Sequence, residues 1–116
     1  LFIRGDCEIA VFQAFKEIEV RVRKASGLPE SLIGVDLMRQ AFHTEKGPLT
    51  DMSRLPAERD ATAHLFAGAI GLYKNPSSHR EVDFNDPDEA AELIFMANHL
   101  LRMVERSKQP KPQSLM

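Results

Sequence analysis

The 116-residue chain has a single cysteine, Cys7, a single tyrosine and no tryptophan. One thiol cannot close an intrachain disulfide, which excludes a small secreted scaffold stapled by such bonds and makes the cytoplasm the expected compartment. No stretch approaches the roughly 18–20 apolar residues that a membrane span needs, and no charged-then-apolar leader is present, so no membrane association is expected. Neither sign of charge dominates: 15 Lys and Arg stand against 17 Asp and Glu, for a net charge of −2. A bulk basic surface for nucleic acid is thereby excluded, and binding of that kind must use a local patch. A glycine-rich phosphate loop is also missing, because Gly68 and Gly71 fall inside a helical pattern and not between a strand and a helix. His43, His64 and His99 show neither His-x-x-x-His nor Cys/His spacing, so no metal site and no cofactor are expected. No strand pattern survives anywhere along the chain.

What the chain does have is helical periodicity. Its length suits one domain, and its balance of 43% hydrophobic and 28% charged residues is that of a folded globular protein. Asp6 and Glu8 suit a helix start, after which Val11, Phe15, Ile18, Val22 and Ala25 recur at steps of three and four, with Ala14 beside them. Gly27 and Pro29 end that helix, and a shorter one follows Gly34 with Leu37, Met38, Ala41 and Phe42. Residues 43–55, with Gly47-Pro48, carry no period and form a long loop, either functional or mobile. Pro56 and Glu58 open a third helix. Its apolar row is Ala61, Leu65, Gly68, Ala69 and Leu72, and a second row of small side chains, Ala63, Ala67 and Gly71, would let another backbone approach. Asp86, Pro87 and Glu89 mark the start of a fourth, with Leu93, Ile94, Ala97, Leu100, Leu101 and Val104 making a face wider than one core requires. The pattern predicts an all-α fold with helices near 6–26, 34–43, 56–74 and 87–107. Its expected core joins Phe15, Ile18, Val22, Leu65, Leu72, Ile94, Ala97 and Leu101. Residues 1–107 are read as one domain and 108–116, with Pro110 and Pro112, as a polar, disordered tail. The opening on Leu1, without an initiator methionine, reads as the C-terminal part of a longer protein.

One segment concentrates reactive chemistry. Lys74-Asn75-Pro76-Ser77-Ser78-His79-Arg80 follows the third helix and holds two cations flanking the segment, an imidazole, two hydroxyls and an amide. As a plain helix stop, Lys74 would complement the helix dipole and Asn75-Pro76 would supply turn chemistry. As a phosphate-handling site, His79 would move a proton, Lys74 would stabilise charge and the polar neighbours would orient a strand. Glu19 lies at the edge of the first helix's stripe with Arg23 one turn on. The pair reads either as a local i,i+4 contact or as an acid positioning His79 or Lys74 across the bundle.

Ordered blocks along nearly the whole chain carry a resemblance. Ala10-Val11-Phe12 through Phe15-Lys16-Glu17-Ile18-Glu19-Val20-Arg21-Val22-Arg23, Gly34-Val35-Asp36-Leu37-Met38 with Ala41-Phe42, and Leu65-Phe66-Ala67-Gly68-Ala69-Ile70-Gly71 running into Lys74–His79 resemble the Ymh-type family of conserved hypothetical proteins. Those proteins are in turn similar to the HEPN superfamily. The resemblance implies a four-helix, up-and-down HEPN-like bundle. It also implies an Arg-x(4–6)-His ribonuclease motif onto which Lys74, Asn75 and His79 fall, with lysine where the superfamily has arginine. Lysine is a point charge where arginine is a planar fork matched to phosphate oxygens.

Two functional readings stay open. In the first, the chain is an RNA-directed, metal-independent endoribonuclease of a toxin-antitoxin or phage-defence type system, with His79, Lys74 and Asn75 catalytic and Ser77, Ser78, Arg80, Glu19 and Arg23 binding substrate. In the second it is a non-catalytic module that binds RNA, a nucleotide, or a protein partner such as an antitoxin. Both expect a homodimer.

Overall fold

A computed structural model describes residues 4–74 and 86–108, and these form four helices: α1 (Arg4–Ser26), α2 (Gly34–Ala41), α3 (Pro56–Tyr73) and α4 (Pro87–Lys108). No strand occurs among the described residues. The helix limits lie within two residues of those the periodicity predicts, and several ends carry a chemical stop. The amide of Gly27 donates to the Arg23 carbonyl at 3.0 Å and closes α1. Pro56 opens α3, and the Glu58 carboxylate accepts from the Leu55 amide at 3.3 Å. Asp86 caps α4 by accepting from the Asp88 amide at 2.9 Å. Helix α4 includes Lys108, and the tail expected beyond it, residues 109–116, lies outside the described residues.

Burial follows the heptad-like rows of α1 and α4. Cys7, Val11, Phe15, Ile18 and Val22 are buried on α1, and Ala90, Leu93, Ala97, Leu100 and Val104 on α4. These two helices pack most extensively on each other, α2 packs on α3, and α1 also touches α2 and α3. An Arg21 guanidinium joined at 2.8 Å to Glu17 and at 2.8 Å to Glu105 straps α1 to α4 at the surface.

The expected core needs one correction. Leu65 and Leu72 are not in it: they are 44% and 43% exposed, while Phe66, Ala67, Ala69 and Ile70 are buried in their place. Almost every side chain in the middle of α3 is apolar or small, so periodicity left two competing rows. The row holding the bulkier Phe66 and Ile70 turns inward, and Phe66 stacks on Phe42 of the α2 end with ring centroids 4.2 Å apart. The row of small residues does serve close approach, since a Cβ on Gly71 would lie 3.1 Å from Val35 of α2. Ile94 and Leu101 pack against the core's edge without being fully buried.

The aperiodic segment after α2 is tightly built. The Ala41 carbonyl accepts from the Leu49 amide, the His43 carbonyl accepts from the Gly47 amide and at 2.6 Å from the Thr50 hydroxyl, and Leu49 is buried. His43 Nδ1 accepts from the Glu45 and Lys46 amides, both at 3.1 Å. Gly47 sits so deep in this turn that a Cβ would fall on the Thr50 hydroxyl, the His43 nitrogen and the Ala41 carbonyl. Two of those obstacles are backbone and cannot swing away. Gly47→Ala is therefore expected to destabilise the fold by about 2–3 kcal/mol, read as a lowered urea midpoint; an unchanged midpoint would show that the turn can open freely.

Candidate functional site

Among the described residues, one acidic side chain lies inside the helical core. Glu19 of α1 is only 4% exposed. A carboxylate in that position requires partners, since burying an unpaired charge costs several kcal/mol. It has three. Its Oε1 is 2.8 Å from the Lys74 ammonium at the end of α3, its Oε2 accepts from the Gly34 amide at 2.9 Å, and Arg23 Nη2 reaches Oε2 at 3.2 Å. The same Arg23 Nη2 donates to the Leu32 carbonyl at 2.6 Å.

Local sequence explains why these groups meet. Phe15 and Glu19 are one turn apart on α1, while Tyr73 and Lys74 are adjacent at the end of α3. The Phe15 and Tyr73 rings pack with centroids 5.2 Å apart, which sets the end of α3 against α1 and brings Lys74 to the acid. Gly34 begins α2 with a positive φ of 57°, a conformation that glycine adopts without strain. Its amide is thereby turned to Glu19, and the residue before it, Ile33, gives no side-chain cap. The carboxylate thus lies between the positive end of α2 and a cation at the negative end of α3. Three segments distant in sequence are tied at one point.

Burial pushes the Glu19 carboxyl up, but this is outweighed by the Lys74 hydrogen bond, the Gly34 amide, the Lys74 charge and the Arg23 contact, in that order, so it is held below the ordinary carboxylate value. The acid is ionised at neutral pH.

Compared with known protein families, residues 1–104 match the model of Hypoth_Ymh, described as a protein of unknown function. The chain belongs to the Hypoth_Ymh family. No curated protein and no solved structure matches it.

Among the residues singled out from sequence, the Hypoth_Ymh fold brings Glu19, Arg23 and Lys74 together. Asn75, Ser77, Ser78, His79 and Arg80 lie outside the described residues. Glu19 makes the expected local pair with Arg23 and also contacts Lys74 of a different segment, while the alternative partner His79 lies outside the described residues. Sequence reasoning missed the backbone members of the cluster, the Gly34 amide and the Leu32 carbonyl. A signal for them was present: Glu19 stands four residues after Phe15, so it shares the face of the core row, and a glycine opens the next helix. Among the described residues no three His, Cys, Asp or Glu side chains are placed to hold a metal ion, and no helix is long and apolar enough to cross a membrane.

Proposed function

We propose that the chain is an RNA-directed domain of HEPN-like, up-and-down architecture, acting as a metal-independent endoribonuclease of a toxin-antitoxin or phage-defence type system. The observation that carries this reading is the contact between Glu19 and Lys74. A buried acid, itself held by α2, fixes the residue that opens the Lys74–His79 segment, so the first member of the expected motif has a set position. In the proposed reaction a ribose 2′-hydroxyl attacks the neighbouring phosphorus and the bond from phosphorus to the 5′ oxygen of the next nucleotide breaks. The products are a 2′,3′-cyclic phosphate and a 5′-hydroxyl end. His79 moves the proton between attacking and leaving oxygens, Lys74 and Asn75 stabilise the charge that builds on phosphate, and Ser77, Ser78 and Arg80 orient the strand. Glu19 and Arg23 act as positioning residues.

The same contact gives a second reading its support. The Lys74 ammonium already has a carboxylate at 2.8 Å, which offsets its charge toward an incoming phosphate. On that reading the domain is a non-catalytic module that binds RNA, a nucleotide or a protein partner such as an antitoxin. Incubation of the purified chain with mixed RNAs in the presence of a chelator separates the two: cyclic-phosphate products support the nuclease, and intact RNA supports the module.

Either reading includes a two-fold homodimer. The rotation of α3 leaves Ala61, Leu65, Gly68 and Leu72 exposed at spacings of four, three and four, the repeat of a helix seam, with Gly68 allowing close approach. Light scattering at tens of micromolar is expected to give twice the chain mass, and a monomer at that concentration would count against the dimer.

A further inference from the structure

A second site lies at the other end of α3. Since α4 packs on α1 and not broadly on α3, the start of α3 and the end of α4 enclose a cleft of about 260 Å³. Its walls carry three guanidinium groups, Arg54, Arg59 and Arg106, against one carboxylate, Asp51, and Phe42, Leu49 and Met103 supply an apolar side. Arg59 stands 15 residues before Lys74 on the same helix, or about 22 Å at 1.5 Å per residue, so the cleft is separate from the Glu19 cluster.

The arginines are poorly satisfied. The nearest carboxylate oxygens to Arg54 are those of Asp51 at 3.8 Å and Glu58 at 4.0 Å, both beyond hydrogen-bonding distance. Arg59 donates to the Met52 sulfur at 3.0 Å, a weak acceptor, and its Nε is buried with no partner among the described residues. Arg106 has no carboxylate within ion-pair distance among the described residues. A buried donor without an acceptor costs about 1–3 kcal/mol, a cost that a bound anion would remove. The Thr50, Thr62 and Ser107 hydroxyls already donate to the His43, Glu58 and Met103 carbonyls, which leaves the guanidiniums as the donors for a ligand. Planar forks of this kind match phosphate oxygens two at a time. The positive end of α3 adds to the field.

We propose that this cleft binds a phosphomonoester whose remaining part is planar and apolar enough to lie on Phe42, Leu49 and Met103, the chemistry of a nucleotide. The site is independent of the nuclease reading. It would serve a free nucleotide or the phosphorylated end of an RNA strand equally.

Titration calorimetry of the full chain with adenosine 5′-monophosphate, inorganic phosphate and adenosine tests the proposal. One nucleotide is expected per chain, binding at least tenfold more tightly than phosphate or adenosine alone and weakening as salt rises. Arg59→Gln and the more exposed Arg106→Gln are each expected to weaken binding tenfold or more without lowering the thermal midpoint. Displacement of the nucleotide by a 5′-phosphorylated RNA but not by its 5′-hydroxyl twin assigns the site to a strand end, and displacement by neither assigns it to the free nucleotide. Absence of binding at millimolar nucleotide, adenosine binding as tightly as its phosphate, or full binding by the Arg59→Gln/Arg106→Gln double variant would overturn it. The cleavage outcome with His79→Ala has no bearing on any of these results.

Discussion

Replacing Glu19 by glutamine is expected to destabilise the fold by about 2–4 kcal/mol at pH 7, the cost of removing one partner from a buried ion pair when the remaining cations keep some solvent. The Lys74 and Arg23 side chains are 18% and 22% exposed, so the effect falls short of a fully buried pair but well above the value of a surface bridge. Urea denaturation should show a lower midpoint with an unchanged slope. The pH dependence has a definite sign. The folded-state pKa of Glu19 is depressed below its ordinary value of 4.5, so the stability it confers is present above that pH and is lost as pH falls through the folded value. The gap between the parent chain and Glu19→Gln is therefore expected to be full at neutral pH and to narrow below about 4.5. A gap independent of pH would mean that the loss came from packing and not from charge. Adding Lys74→Met to Glu19→Gln should recover part of the loss, because the two residues share one interaction.

Alanine at position 79 is expected to reduce RNA cleavage by about 10²–10⁴-fold, the usual contribution of a positioned acid or base, with the thermal midpoint unchanged. Equal cleavage by the parent chain and His79→Ala would remove His79 from the mechanism. Lys74→Arg is the companion test. A guanidinium has five N–H donors where an ammonium has three, so it can bind the Glu19 carboxylate through one edge and still offer a second edge to phosphate. Cleavage should be maintained or raised by Lys74→Arg if residue 74 contacts phosphate. If residue 74 serves only to neutralise Glu19, the substitution should change stability and leave cleavage and RNA binding as they were across a salt series.

The helices were legible in the sequence because their ends are chemical and their faces periodic. Asp86 with Pro87, Gly27 after Ser26, and the row from Val11 to Val22 each leave one sensible reading. Periodicity failed on α3, where apolar residues surround the helix and only the pairing of Phe66 with Phe42 decides which side turns in. It failed also at residues 43–50, whose order comes from His43 Nδ1, the Thr50 hydroxyl and the close fit of Gly47, none of which repeats. Of the candidate site, the residue types and the Glu19–Arg23 spacing could be read. The reach from Glu19 to Lys74 spans 55 positions and depends on how α3 crosses α1, which no local pattern encodes. The arginine cleft was invisible for the same reason: Arg54, Arg59 and Arg106 have no common spacing and meet only because α4 follows α1.

That preference of α4 for α1 shapes how the chain assembles. Helices α1, α2 and α3 lie within residues 4–73, so their mutual contacts close shorter stretches of chain than those of α4 with α1. The strap from Arg21 to Glu105 must close a loop of 84 residues, at a greater entropic cost. Since α1 and α4 share the most extensive packing among the described helices, detaching α4 alone would be a costly partial opening, with a free energy no greater than that of unfolding the whole domain. The departure of α4 would remove one wall of the arginine cleft and uncover the Ala90 to Val104 row together. Whatever occupies the cleft therefore binds only the closed form, and its affinity is transmitted directly to the closure of the C-terminal helix.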